Sequence, residues 1–416
     1  MKKLSKYLIL FMSFGIFAQE QISLEDCYKL VSTNYPLIKQ GAILEKQHTK
    51  DLEVIKAGKL PQLDLNAQAT YQSDVVQIPI PTAGIEPLNK DQYRAFVSVN
   101  QLIYGGGIID AKATAKQATL KTRKKQIEVN VYQLKKQVNQ LFFSVLLIQE
   151  KRNLLSLKQT QLQTNLKEIQ SGIKNGVVLP TSDKVIEVEL LKIKQQFTEL
   201  AKNKLGLIES LSSLIGVSVS SSTKFQEPVI NTSQSSEVKR PELDLFELKQ
   251  EEIESSALLL SKQNLPKFIG FANSGYGNPG LNMLDNSFQA FYTVGVKLSW
   301  NVFDWNANKK QRESISINKD MINNEAEIFN LNTNTELKQQ QIEIDKISAF
   351  IETDAEIISL RKDVLRSAES QLKNGVITTS AYITELTNLY EDQNTLIAHT
   401  IQLQLAKANY NITIGQ

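Results

Sequence analysis

A single cysteine, Cys27, and two histidines, His48 and His399, in 416 residues exclude an intrachain disulfide and a zinc cluster of His and Cys ligands. Glycine (18) and proline (10) are too few for a collagenous or low-complexity chain. Long stretches of Leu, Ile, Lys, Gln, Glu and Asn favour long helices instead. A Gly-rich phosphate loop ending in Lys and Ser/Thr is also missing, so the chain encodes no energy source of its own and implies no cofactor. Charge of one sign is lacking too. The formal net charge of +3 includes Lys2, Lys3 and Lys6; without them bases and acids stand at 44 each, and nothing points to nucleic acid.

Those three lysines precede an apolar run over residues 7–17 that closes on Ala18. This is the pattern of a secretory signal peptide, too short for a spanning helix and followed by the polar Gln19 and Glu20. Cleavage is expected after Ala18, since a retained anchor would need a stop-transfer pattern. A lipidated cysteine would be the first mature residue, whereas Cys27 lies eight residues beyond Gln19, so Cys27 reads as a buried helix position.

Self-comparison gives the organisation. Pro36 and Pro61 are 25 residues apart, as are Pro241 and Pro266, and each second proline opens an alternating segment. Later landmarks share an offset of 199: Val97 and Val296, Tyr104 and Phe303, Lys174-Asn175-Gly176-Val177 and Lys373-Asn374-Gly375-Val376, then Ile215-Gly216 and Ile414-Gly415. The expected division is a signal peptide (1–18), a first repeat (19–216), a Ser-rich linker (217–240) and a second repeat (241–416). Each repeat reads helix, strand, loop, strand, very long helix, turn, helix.

Leu120, Ile127, Leu134, Leu141, Ile148, Leu155, Leu162 and Ile169 stand seven apart, the spacing of coiled-coil packing. A helix over about 108–171 would be on the order of 95 Å long. Its return carries Ile186, Leu190, Ile193 and Phe197, and the second repeat answers with Ile351, Ile358, Leu365 and Leu372. These residues pack helices and bind no cofactor.

Four segments, near residues 63–73, 94–104, 268–276 and 291–303, have a period of two instead. In the last, Tyr292, Val294, Val296, Leu298, Trp300 and Val302 share one face, with Thr293, Gly295, Lys297, Ser299 and Asn301 on the other. Strands of this length fit a transmembrane barrel wall, with Tyr71, Tyr104, Tyr276, Phe303 and Trp305 as interfacial girdles. Taken alone, they fit a soluble sheet covered by helices as well. Four strands cannot close a barrel, and open edges in lipid leave backbone groups unsatisfied, so a spanning chain must oligomerise. A dimer supplies eight strands and a trimer twelve. The loops around Pro79, Pro81 and Pro87, and around Pro279, would then lie on the outer side.

In this duplicated order, and in the turns Gly176-Val177-Val178-Leu179-Pro180-Thr181-Ser182-Asp183 and Gly375-Val376-Ile377-Thr378-Thr379-Ser380, the chain resembles the TolC-like outer membrane efflux proteins over essentially its mature length. The resemblance implies a mostly α fold with a small β part: a trimeric twelve-strand barrel in the outer membrane, lipid meeting Val294, Val296, Leu298 and Trp300, and an α-helical tunnel in the periplasm. It further implies tips around Gly176, Val177, Asp183, Gly375 and Val376 that meet a periplasmic adaptor linked to an inner-membrane pump. Acidic gate residues of the family would fall on Ala381 and Thr384, so mouth acids are sought in Asp183, Glu187 and Glu385. The expected function is a passive exit duct. A trimeric coiled-coil surface fibre without a channel shares the heptads but not the paired hairpins. A secreted hydrolase would need acids such as Asp363 and Glu369, which read as the solvated face of a heptad helix. Gly105-Gly106-Gly107 reads as a strand-to-helix bend, because Asp304-Trp305-Asn306 takes its place in the second repeat.

Overall fold

The computed structural model describes residues 21–76, 86–232 and 237–416; the expected signal peptide and the loop prolines Pro79 and Pro81 lie outside them. The chain is mostly helical with a small sheet part. Strand β1 (Gln21–Ile22) is followed by α1 (Leu24–Asn34), a 3-10 turn (Pro36–Ile38) and α2 (Lys39–Ala57). Then come β2 (Gln62–Tyr71), β3 (Asp91–Tyr104), α3 (Ile108–Lys174) and α4 (Ser182–Ile215). Beyond β4 (Lys224–Phe225) the order recurs in α5 (Pro241–Gln263), β5 (Lys267–Asn278), β6 (Gln289–Ser299), α6 (Ala307–Lys373) and α7 (Thr379–Ile414). Both α3 and α6 run for 67 residues.

Local chemistry sets the ends of these elements. Ser23 opens α1 with a capping box: its hydroxyl accepts from the Asp26 N–H, while the Asp26 carboxylate accepts from the Ser23 N–H, both at 3.1 Å. The Ser23 hydroxyl also donates to that carboxylate at 2.7 Å, and this bond with the one from the Ser23 N–H holds the Asp26 carboxyl below its usual range. Pro36 denies α1 a continuation, and Pro241 begins α5, where a missing N–H costs no helical bond.

The described residues form two compact units. The first comprises the segment ending at Ile38, Asn130–Arg240 and Leu331–Gln416; the second comprises Lys39–Val129 and Pro241–Asn330. In the first unit one core gathers Val138, Phe142, Phe143, Val145 and Leu146 of α3 with Cys27 and Val31 of α1, Ile208 and Leu211 of α4, and Ile401 of α7. Phe225 of β4 completes it, 5.2 Å from Phe142 between ring centroids. The amide of Gln149 holds Phe225 in place, donating to its carbonyl at 3.1 Å and accepting from its N–H at 3.2 Å. In the second core of this unit the heptad residues Leu155, Leu162 and Ile169 meet Ile186 and Ile193 of α4, Ile358 and Leu365 of α6, and Tyr382, Ile383 and Leu386 of α7.

The second unit carries an antiparallel sheet in the order β2-β3-β5-β6. The two hairpins join through β3 and β5, leaving one edge of β2 and one of β6 unpaired among the described residues. β6 ends earlier than the alternation of the sequence suggests. Its last residue, Ser299, pairs with Lys267, and the next partner would be Pro266, which has no N–H to offer. Trp300, expected within the strand, therefore lies one position beyond it.

Phe142 is fully buried, so Phe142→Ala should destabilise the first unit by about 3 to 5 kcal/mol, read as a lowered thermal midpoint. Burial also pushes the Cys27 thiol up to about 12. Iodoacetamide at pH 8 should therefore label Cys27 only after unfolding; rapid labelling of the folded chain would place that helix outside the core.

Candidate functional site: a two-faced sheet and two helix tips

Pairing in register sorts the strand residues into two chemically distinct faces. Leu63, Leu65, Ala67 and Ala69 of β2 lie beside Val99, Val97, Ala95 and Tyr93 of β3. The same face continues through Ala272 and Tyr276 of β5 to Ala290, Val294, Val296 and Leu298 of β6. It is uncovered: Leu65 is 78% exposed, Val294 72% and Val296 65%. An apolar surface of this continuity is uncommon on a protein that meets only water. The opposite face is more polar, carrying Asp64, Asn66 and Gln68, then Arg94, Ser98 and Asn100, then Asn273, Thr293 and Lys297, with Phe96, Phe271 and Phe291 set among them. There Asn66 donates to Ser98 at 3.2 Å.

Aromatic rings gather at both ends of the strands. Phe288 stacks on Tyr276 at 5.6 Å and on Tyr93 at 6.4 Å at the loop end. At the helix end Tyr104 meets Phe268, and Phe303 meets Trp305 edge-on at 4.8 Å. Strand passes to helix there through two consecutive left-handed residues in each repeat, Gly106 and Gly107 in one, Trp305 and Asn306 in the other. The Asp304 carboxylate accepts from the Asn308 N–H at 3.0 Å and so caps the start of α6.

The two tips close their long helices in the same way. Val177 N–H bonds the Gly172 carbonyl at 2.9 Å and Gly176 N–H that of Ile173 at 3.1 Å; Val376 and Gly375 repeat this with Gln371 at 2.8 Å and Leu372 at 3.0 Å. This is a Schellman closure, with Gly176 and Gly375 both at φ 72°. The exits differ. Thr378 caps α7 by accepting from the Ala381 N–H at 3.2 Å, whereas Thr181, in a turn longer by two residues, takes φ 75° and makes no side-chain cap. Val177 (77% exposed) and Val376 (70%) project at the two turns.

No protein-family model matches the sequence, nor does any curated protein. Solved structures do match. CusC, whose structures concern transmembrane channel formation, aligns with a TM-score of 0.67 at 11% identity, over 94% of this chain and 92% of that one. VceC, an outer membrane protein from Vibrio cholerae, gives 0.64 at 13% identity over 94% and 96%, and the Campylobacter jejuni CmeC outer membrane channel 0.63 at 15% over 94% and 85%. The chain has the TolC-like outer membrane channel fold.

Within this fold the residues singled out in the sequence form separate groups. Val294, Val296 and Leu298 lie on the uncovered apolar face with Trp300 beyond its end. Gly176 with Val177, and Gly375 with Val376, form the turns. The acids are engaged in ion pairs: Lys184 reaches Glu187 at 2.8 Å and Asp183 at 3.6 Å, while Arg361 spans Glu385 at 3.5 Å and Asp392 at 2.9 Å. Asp363 and Glu369 pair along their own helix with Arg366 and Lys373. Among the described residues no cluster of His, Cys, Asp and Glu could hold a metal ion. Periodicity does not reveal Tyr382, buried between helices, whose hydroxyl accepts from Asn165 at 2.9 Å. Burial raises its phenol above the ordinary range.

A Cβ on Gly176 or Gly375 would meet nothing within 4 Å, so only the left-handed backbone demands glycine there. Gly375→Ala should cost about 1 kcal/mol and Gly375→Asn less, because asparagine tolerates this conformation. Paired thermal melts test this; equal losses for Ala and Asn would mean that the side chain, not the backbone, matters at the turn.

Proposed function

We propose that the chain is one third of an outer-membrane exit duct. Three copies pair the free edge of β6 with that of β2 in the next copy and close a twelve-strand barrel. The observation that carries this reading is the sheet itself, with an apolar face open to its surroundings, a more polar face behind it and two edges left unpaired among the described residues. Lipid offers no hydrogen bonds to such edges, so closure is required of any sheet that spans a membrane. Val294, Val296 and Leu298 then meet lipid, Trp300 and Trp305 mark the interface, and the polar face lines the lumen. The chain belongs in the outer membrane and extends into the periplasm, and its transport is passive, driven by an inner-membrane pump through a periplasmic adaptor. The tips at Gly176, Val177, Asp183, Gly375 and Val376 are the adaptor contact, with the exposed valines as apolar anchors. Asp183, Glu187 and Glu385 are the mouth acids.

Detergent-extracted protein should run as a heat-modifiable trimer and conduct in planar bilayers. A monomer that never associates with membranes would remove the duct. Within a conducting trimer, Val296→Arg should cost about 2 to 4 kcal/mol of assembly near the bilayer midplane. Thr293→Arg, on the other face, should leave trimer yield intact and alter conductance; equal tolerance at both positions would show that neither face meets lipid. Asp183→Asn, Glu187→Gln and Glu385→Gln combined should lower cation preference. An unchanged reversal potential would return all three acids to the solvated helix surface.

A further inference from the structure

One cation on the polar face is placed unlike the others. Arg94 of β3 pairs with Gly277 of β5, and two residues along Phe96 pairs with Gly275, which pairs in turn with Phe291 of β6. Glycine weakens a strand interior, yet β5 has two of them in succession on this face. Space enforces both. A Cβ on Gly275 would lie 2.4 Å from the Ala95 carbonyl oxygen and 2.4 Å from the Phe96 Cβ, and one on Gly277 would lie 2.7 Å from the Tyr93 carbonyl oxygen. The result is a lane across β5 without side chains. Along it the Arg94 guanidinium reaches from β3 to β6 and rests 5.4 Å from the centroid of the Phe291 ring.

Among the described residues Arg94 has this ring contact and neither a hydrogen bond nor an ion pair. A guanidinium lying over a ring keeps its edge donors available in a fork that matches a carboxylate or sulfonate. Phe96 stands on the same face, half-buried like Phe291, and offers a second aromatic surface. The surrounding field favours anions as well: the paired strand positions of this face carry Arg94, Lys267 and Lys297 against Asp64.

We propose that Arg94, Phe291 and Phe96 form a transit site for small aromatic anions, with benzoate-like carboxylates as the simplest members. The guanidinium fork takes the anionic group and the phenylalanines take the ring. The site rests on the reading of the polar face as the lumen and adds a substrate class to it. One half-buried guanidinium holds such a molecule weakly, which conduction requires, since a ligand that binds too well does not leave.

The test uses the full chain as purified trimers in planar bilayers, with benzoate and acetate as probes. Benzoate should reduce the wild-type current at concentrations where acetate does not. In Arg94→Gln the benzoate block should be roughly tenfold weaker, with the reversal potential in a KCl gradient shifted towards cations. Phe291→Leu should weaken the benzoate block and leave the reversal potential unchanged. Equal block of wild type and Arg94→Gln, or equal effects of benzoate and acetate, overturns the aromatic-anion site while leaving the duct intact. Trimers that do not conduct overturn the duct and the site together. If Arg94→Gln yields no trimer, Arg94→Lys takes its place: the charge stays, the fork is lost, and the block should weaken at an unchanged reversal potential; an undiminished block there overturns the site.

Discussion

The free backbone edges of β2 and β6 are the constraint from which the rest of this structure follows. Each strand is satisfied on one side by its hairpin partner, and β3 with β5 joins the hairpins, but among the described residues nothing pairs with the outer sides. In water such edges would need charge, bulges or a cover to prevent aggregation, and their neighbouring face is instead apolar and bare. Closure with other copies in an apolar surrounding, the arrangement proposed above, would satisfy the edges and the face together. The glycines of β5 answer a nearer constraint, because a Cβ on Gly275 or Gly277 would collide with the backbone of β3.

The passage from strand to helix shows how one backbone geometry can be reached by different chemistry. Two consecutive left-handed residues are required, and the first repeat meets this with Gly106 and Gly107 at little steric cost. The second repeat places Trp305 and Asn306 in the same conformation. The asparagine is tolerated there; the tryptophan is accompanied by the edge-on contact with Phe303 and by the Asp304 cap on α6. The bend is therefore a property of the position, and a glycine-rich stretch there carries no implication of phosphate binding.

What could be read from the sequence was local and periodic. The seven-residue spacing of Leu155, Leu162 and Ile169 marks residues that are buried, and the alternation of Val294, Val296 and Leu298 marks a real face. Both follow from the geometry of one element. Hidden features depend on partners remote in sequence. Phe142, Phe143 and Leu146 lie where α1, α4 and the linker strand widen the core beyond a heptad seam. Phe225 lies in a Ser-rich stretch whose composition conceals a buried anchor, and Tyr382 depends on Asn165, more than two hundred positions away. The end of β6 was hidden for the same reason, being set by Pro266 on the neighbouring strand. Asp183, Glu187 and Glu385 were visible as acids, but their pairing with Lys184 and Arg361 was not.

That pairing bears on where a duct of this kind selects its cargo. An exposed ion pair contributes little to stability, yet it brings opposite charges together and shortens the reach of their field. The tip acids each have a cation within 4 Å. Arg94 has no such neighbour among the described residues; its partner is a ring, which orients the charge without cancelling it. A fixed charge without a counter-ion projects its potential further than a paired one. Counting acids at the tips therefore overstates their net field, since each is offset by a cation, whereas the arginine on the sheet is not.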